Sequence, residues 1–396
     1  MSHFFPADIL LPKDGYEKWA VVACDQYTSE PAYWRAVEER VGQAPSALHI
    51  ILPELYLSAD NSQRIEQINA TMQRYLDDGV FDEHRDAMIY VERTCDAGTR
   101  RGIVGMIDLD DYDYSRAAAS PIRATEATVV ERIPPRVCIR RDAPLEMPHI
   151  LLLIDDPERR VIEPLSNEKS DMQPAYNFEL MQGGGHIEGY LLSPEKIAQI
   201  SRALDTLTDG GDDSLLFAVG DGNHSLATAK ECYRESGDPR ARFALVEVVN
   251  IHDASIVFEP IYRVLFGVDD RDFLDGFRAY AAAHGTDERH SFTAVTHGGC
   301  DTFEVSACAK LPVGTLQPYI DAYLTEHPGV TVDYIHGEDV VRSLCEQEHT
   351  LGLLFDGMKK DELFPAIQRD GSLPRKTFSM GHAADKRYYI EARRLK

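Results

Sequence analysis

Two glycines, an aspartate, an asparagine, a histidine and a serine fall together in Gly220-Asp221-Gly222-Asn223-His224-Ser225. An apolar run, 215–219, precedes them, and the chain from Asn223 to the Gly237/Pro239 stop reads as a helix. A strand that enters a helix through glycines presents backbone N–H groups at the positive end of the helix dipole. That is a natural seat for phosphate or carboxylate. Gly220, Gly222, Asn223 and Ser225 would form the seat. Asp221 and His224 would supply proton transfer, and Asp221 could also take a metal ion. The bland alternative is an ordinary turn capped by Asn223 with Asp221 solvated. Capping needs fewer polar residues than these, so the functional reading leads. His224 alone says less, because a first-turn histidine is often structural.

A second constellation is Ile122-Arg123-Ala124-Thr125-Glu126 followed by Arg132, Arg136, Arg140 and Arg141. Arginines gathered in an acidic chain can hold phosphate through forked guanidinium contacts. Glu126 beside them could act as a base or a positioning group. A strand whose arginines simply pair with neighbouring carboxylates explains Arg140 and Arg141 equally well. Arg263 and Lys376, the latter in Pro374-Arg375-Lys376-Thr377, complete the cationic candidates. A surface ion pair and a solvated turn are their alternatives. Asp108, Asp110, Asp111 and Asp113 lack calcium-loop spacing and read as an exposed acidic turn. Gly183-Gly184-Gly185-His186 is a flexible loop and not a dinucleotide fingerprint, since no strand and helix frame it.

The elements that must position these residues follow from periodicity. A buried strand over 19–24 delivers Asp25 at its end, and 49–57 reads as another strand. A helix spans 61–78, and 88–94 pairs with 101–109 as a hairpin. A second hairpin is expected between 149–154 and 160–165. A helix starts at Ser193 with Pro194 in its first turn and ends at Gly210. The strand 215–219, its helix and the strand 243–251 should form a parallel pair with a right-handed crossover. Asp221 would then lie at the carboxyl edge where open α/β sheets bind ligands. Beyond 268, helices and strands alternate: helix 270–284, strand 330–334, helix 338–346, strand 351–355, helix 360–368 and strand 388–392. These patterns divide the chain into an N-terminal α/β region (1–145), a core carrying the loop (146–268) and a C-terminal α/β lobe (269–396).

A 396-residue chain has ample material for such cores. Its formal charge of −25 opposes nucleic-acid binding and an anionic membrane surface, while leaving room for one small anion in a cleft. No secretory signal or membrane-length apolar run is visible, so a cytoplasmic protein is expected. The seven cysteines are scattered without a Cys-x-x-Cys, which favours reduced core thiols. Nothing in the chain speaks to oligomeric state.

The ordered motifs resemble the bacterial and archaeal family called domain of unknown function 1015 over nearly the whole chain. They are Cys24-Asp25-Gln26-Tyr27, Gly102-Ile103-Val104-Gly105 leading to Asp111-Tyr112, Ile122 to Glu126, Asp221-Gly222-Asn223-His224, Arg263, and Leu373-Pro374-Arg375-Lys376-Thr377. The family's usual Asp-Gly-His-His-Arg loop is similar to the phosphate-contacting loop of the ParB and sulfiredoxin fold, which includes free-serine kinases. The resemblance implies a mixed α/β fold, with a ParB/sulfiredoxin-like phosphate-loop core, mixed sheets and an additional C-terminal α/β lobe. Asp221, Gly222 and His224 match that loop. Asn223 replaces its first histidine and Ser225 its arginine, so nucleotide binding would need Arg123, Arg136 or Arg263 as substitute donors. Sulfiredoxin chemistry would need a cysteine at Asn223.

The resemblance and the loop together imply a phosphotransferase that uses ATP or ADP with Mg²⁺ and acts on a small hydroxylated metabolite such as serine or phosphoserine. Asp221 or Glu126 would be the base. A non-catalytic sensor of a nucleotide or phosphometabolite is the alternative, and metal-assisted phosphate hydrolysis through Asp221 and His224 is the third.

Overall fold

Along 103–107 the side chains serve two apolar layers in turn, as a strand's alternation requires. Ile103 and Ile107 pack with Phe217, Val219 and Leu226, while Val104 packs with Val21, Trp34 and Ile89. A sheet apolar on both faces must be covered on both, and here it is. The structure is a computed structural model that describes residues 3–57, 60–96, 98–126, 133–208, 210–211, 214–381 and 383–396, with only the backbone at 133–136 and 384. The fold is mixed α/β, and the chain divides into two units. The first takes in the described residues of 1–124, 128–256 and 381–396, and the second those of 125–127 and 257–380.

In the first unit, ten described strands form one mixed sheet. In chain order they are β1 (Phe4–Phe5), β2 (Ile89–Cys95), β3 (Gly98–Asp108), β4 (Tyr112–Asp113), β5 (Ile122–Ala124), β6 (Leu151–Ile154), β7 (Gln173–Glu179), β8 (His186–Leu191), β9 (Phe217–Asp221) and β10 (Phe243–Asn250). Their spatial order is β7-β8-β2-β3-β10-β6-β9-β5-β4, with β1 on β3. Besides the single turn Tyr16–Trp19, the helices are α1 (Pro31–Val41), α2 (Ser62–Asp77), α3 (Ile133–Arg141), α4 (Pro194–Leu204) and α5 (Asn223–Ser236). The β2–β3 hairpin, α2 and the Ser193-capped start of α4 stand where periodicity and turn chemistry put them, while α4 ends at Leu204, short of the expected Gly210.

Three local expectations give way. The strand expected over 49–57 is instead two short 3₁₀ turns, Ala47–Ile50 and Glu54–Tyr56. Pro45 and Pro53 have no N–H for a ladder, and the Ser46 hydroxyl caps the first turn by accepting from Leu48 N–H. The partner strand expected over 160–165 is also absent. Asp156 accepts the N–H groups of Arg160 (2.6 Å) and Val161 (2.8 Å) and curls the chain into the 3₁₀ turn Glu163–Asn167.

The third correction concerns the loop's own surroundings. β9 and β10 are neither adjacent nor parallel: β6 lies between them, antiparallel to β9 and parallel to β10. The wholly buried Leu151–Ile154 takes the central place that a crossover would have closed over. Gly237, at φ +62°, ends α5, and the turn Pro239–Arg242 redirects the chain into β10. β9 instead runs parallel to β5.

The chain's end returns to the first unit, although 269–396 was expected to form one lobe. Tyr388–Tyr389 pairs with Val21–Val22, and Arg393–Arg394 with Leu145–Glu146. Glu146 is buried there, accepting from Arg393 Nε (2.7 Å), from Leu245 N–H (3.0 Å) and from Arg140. Burial pushes its pKa up, but Arg393 and Arg140 outweigh that and hold it below the usual carboxylate value. A carboxyl with a lowered folded-state pKa stabilises above its unfolded pKa, and that contribution is lost as pH falls through the folded value. Urea denaturation from neutral pH down to about pH 3 should therefore show stability falling with acid. Glu146→Gln should flatten that slope while lowering stability at neutral pH; an unchanged slope would refute the assignment.

The second unit is built on the five-stranded antiparallel order β13-β12-β15-β11-β14. These are β11 (Phe258–Phe266), β12 (Arg289–Thr296), β13 (Gly299–Ser306), β14 (Thr331–His336) and β15 (Thr350–Phe355), and β16 (Phe378–Met380) pairs with the start of β11. Its helices are α6 (Asp270–His284), α7 (Pro312–Glu326), α8 (Glu338–Leu344) and α9 (Leu363–Asp370). The unit begins at Val257, not near 269, because the ladder bonds of β11 go to β14 and β15.

Candidate functional site

Three separate stretches of the first unit converge at the start of α5. Gly222 holds the bend at φ +81°, and a Cβ there would lie 3.0 Å from Ile150 Cγ1 and 3.1 Å from Ile150 Cα. Only glycine fits both demands. The N-cap position, Gly222, offers no side chain to cap α5. Asp221, opposite Leu151 in the ladder, accepts the Gly222 N–H at Oδ1 (2.9 Å), and its Oδ2 lies 3.3 Å from Lys386 Nζ. Asn223 and His224 are the first two helical residues, both half-buried, and the His224 carbonyl accepts from the Thr228 hydroxyl (2.7 Å).

Ser225 follows, one residue further into the first turn. Its Oγ lies 3.5 Å from Nε2 of His149, the buried residue that leads into β6. His149 Nδ1 is 2.8 Å from the Tyr389 hydroxyl, and the two rings meet edge-on at 5.6 Å and 89°. Tyr389 in turn accepts the Cys24 N–H (3.3 Å). Next to Cys24 stands Asp25, in the turn beyond the short ladder in which Val21 and Val22 meet Tyr389 and Tyr388; the strand expected over 19–24 is cut to those two residues because Trp19 closes the helical turn Tyr16–Trp19. Burial would raise the Asp25 pKa. His149, the Gln26 amide at 3.0 Å and Lys386 together outweigh burial and hold it below the usual carboxylate value. Asp25 is thus a charged carboxylate at neutral pH.

Lys386 is held from beneath. Arg93, 1% exposed, donates to the carbonyls of Gly184 (2.9 Å), Asp385 (3.1 Å) and Lys386, and Arg100 donates to Asp385 (2.9 Å). Burial, helped by the nearby Arg100 charge, brings the Arg93 pKa down to about 10. The Tyr388 ring lies 4.9 Å from that guanidinium. Two carboxylates, an ammonium, an imidazole, a phenol and a hydroxyl thereby share one end of a helix. Such a group can bind a phosphorylated ligand and move a proton.

Arg123, on β5 of the first unit, is buried, and its Nε donates to the Ser120 carbonyl (2.8 Å). Arg136 sits in α3 with its side chain outside the described residues, and Arg132 lies outside them altogether. Arg140 pairs with Glu146, and Arg141 with Glu235 (2.8 Å), the carboxylate pairing weighed for both from sequence. Asp108 is bound by Arg242 (2.6 Å) and Asp111 by His3 (2.7 Å). Among the described residues no group of three or more His, Cys, Asp or Glu side chains is placed to hold a metal ion.

Within the second unit, Glu126 bridges to Leu373 and accepts the Thr377 N–H (3.3 Å). Arg263 is fully buried. It donates to Gln317 (2.7 Å) and to the carbonyls of Ile261, Lys376 (3.1 Å) and Arg375 (3.2 Å). Burial brings its pKa down to about 10. Lys376, exposed and at φ +53°, lies 5.2 Å from the Tyr334 ring, which Arg375 and Arg263 also approach.

Sequence reading did not place His149, Lys386 or Tyr389 in a site, and it noted Asp25 as a strand end and as part of the Cys24-Asp25-Gln26-Tyr27 motif, without a role. Asp25 had a signal, a charged residue closing an apolar strand within Cys24-Asp25-Gln26-Tyr27. The other three had none, because the β6–β9 ladder brings His149 beside the loop and the return of the C-terminus brings Lys386 and Tyr389.

A family model described as "Protein of unknown function (DUF1015)" matches residues 6–323, and the chain belongs to that family, as its motifs indicated. No curated protein matches the chain. Solved structures give loose likenesses. A mutant free serine kinase in complex with ADP has 10% identity and a TM-score of 0.42, covering 73% of this chain and 91% of that one. A conserved hypothetical protein from Pyrococcus furiosus has 11% identity and a TM-score of 0.38, covering 73% and 94%. SbnI with a C-terminal truncation, from Staphylococcus aureus, has 8% identity and a TM-score of 0.38, covering 70% and 82%.

Proposed function

We propose that this DUF1015 protein binds a nucleotide at the start of α5 and transfers a phosphoryl group between it and a small hydroxylated metabolite, with serine and phosphoserine the first to test. One observation supports this most: Asp25, His149, Lys386 and Asp221 gather around the first turn of a helix in one unit. Phosphoryl transfer asks mainly for positioning and charge neutralisation. In this reading the positive end of α5 and Lys386 face the transferring group. Asp25, kept ionised, accepts the proton of the substrate hydroxyl. Asp221 is already tied to Gly222 and Lys386 and serves to hold both in place.

Mg²⁺ commonly binds through one or two carboxylates plus substrate phosphates. Asp25 and Asp221 fit that modest demand, and the ion would neutralise phosphate charge. Incubation with ATP or ADP, Mg²⁺ and serine or phosphoserine should interconvert the amino acid and its phosphate. Absence of turnover from metal-replete protein across that panel would defeat the transfer reading.

The sensor reading rests on the tie between Asp221 and Lys386, which already sets a cation in place without any reaction. Calorimetry with ADP and AMP, the nucleotides named in the free serine kinase structures, separates the two. Asp221→Asn should weaken binding by about tenfold or less, worth roughly 1.4 kcal/mol, if the protein only senses. Transfer predicts in addition a loss of turnover that exceeds the loss of affinity.

A further inference from the structure

Ser225 stands apart from the other residues of the loop. Its hydroxyl is 3.5 Å from an imidazole nitrogen, and the opposite nitrogen of that ring is fixed by Tyr389 at 2.8 Å. Tyr389 is itself held by the Cys24 N–H and by the ladder to Val21. A nucleophile, a base and a group that orients the base is the arrangement by which serine hydroxyls are activated, with the first contact often loose before substrate binds. His149 is buried, so its ring has little freedom to take another pose. Ser225 also lies in the first turn of α5, where the helix dipole favours an oxygen that becomes anionic.

We propose that Ser225 is itself a phosphoryl acceptor, so that the protein carries a phosphoseryl intermediate. This rests on the phosphotransferase reading and adds a covalent step to it. The Ser225 oxygen attacks the γ-phosphorus of a bound nucleoside triphosphate. The bond from that phosphorus to the β,γ-bridging oxygen breaks, the nucleoside diphosphate leaves, and the Ser225 proton passes to His149 Nε2. In the second half the metabolite hydroxyl attacks the phosphoseryl phosphorus and gives its proton to Asp25, the Oγ–phosphorus bond breaks, and His149 returns its proton to the Ser225 oxygen. Tyr389 acts as a positioning residue through the His149 ring.

The test is incubation of the full chain with γ-labelled ATP and Mg²⁺ without any acceptor, followed by peptide mapping. Nucleotide binding is measured in parallel by calorimetry. One phosphoryl group on Ser225, absent from a folded Ser225→Ala protein, is the expected result. His149→Gln should slow labelling by about a hundredfold or more. Tyr389→Phe should slow it less and leave the labelled residue unchanged, which a merely structural defect would not do selectively. Wild-type protein that binds nucleotide yet gains no label on Ser225, or a label that survives in Ser225→Ala, overturns the intermediate and leaves direct transfer standing. Failure to bind nucleotide at all defeats both readings together.

Discussion

Arg387→Met is expected to destabilise the protein by about 3–5 kcal/mol, the cost of breaking a buried ion pair from one side. Arg387 is 3% exposed and sits between two buried carboxylates, Glu247 and Glu391, each 2.8 Å away. Its third direction is the Pro148 carbonyl, next to His149. Glu391 also accepts from the Tyr176 hydroxyl (2.5 Å), and Arg100 lies 3.6 Å from Glu247. Burial pushes the Glu391 pKa up even with Arg387 present, so removing the guanidinium leaves a carboxyl that must take a proton or unfold its surroundings. The double variant Arg387→Met/Glu391→Gln should therefore recover part of the loss, because the stranded charge goes with it. Lysine should rescue poorly, since a point charge cannot serve three acceptors in a plane. Urea midpoints measure all three. A loss below about 1 kcal/mol, the range of an exposed pair, would contradict the burial argument.

The second large effect is on the proposed transfer. Asp25→Asn keeps the shape and the contact with Gln26 but removes the charge. Turnover should fall by about 10²–10⁴-fold, the usual contribution of a positioned acid or base, with a smaller change in the nucleotide KM. The reason is electrostatic: His149, Gln26 and Lys386 together outweigh burial and keep the carboxyl ionised, and the neutral amide can neither accept a proton nor balance the Lys386 ammonium. A fall in affinity matching the fall in turnover would instead make Asp25 a binding residue. Unchanged turnover would remove it from the chemistry.

Much of this architecture was legible because it is local. The helix Ser62–Asp77, the hairpin Ile89–Cys95/Gly98–Asp108 and the Ser193 cap follow from periodicity and turn chemistry within a dozen or so residues. The loop from Gly220 to Ser225 was legible for the same reason, since glycines between an apolar strand and a helix admit few other readings. Where a competing local hydrogen bond won, as at Asp156, the strand pattern misled.

What surrounds the loop was decided by long-range pairing. Periodicity cannot tell that Leu151–Ile154 inserts between the strands on either side of α5, because the choice depends on which buried ladders close across the sheet. Nor can it tell that residues 386–389 come back beside Asp25 and Asp221, since that rests on the pairing of Tyr388–Tyr389 with Val21–Val22 and on buried arginines gripping carbonyls. The sequence by itself determined the strand, the glycine bend and the helix of the loop. Only the tertiary structure supplied Asp25, His149, Lys386 and Tyr389, because contacts between distant segments leave no trace in local spacing.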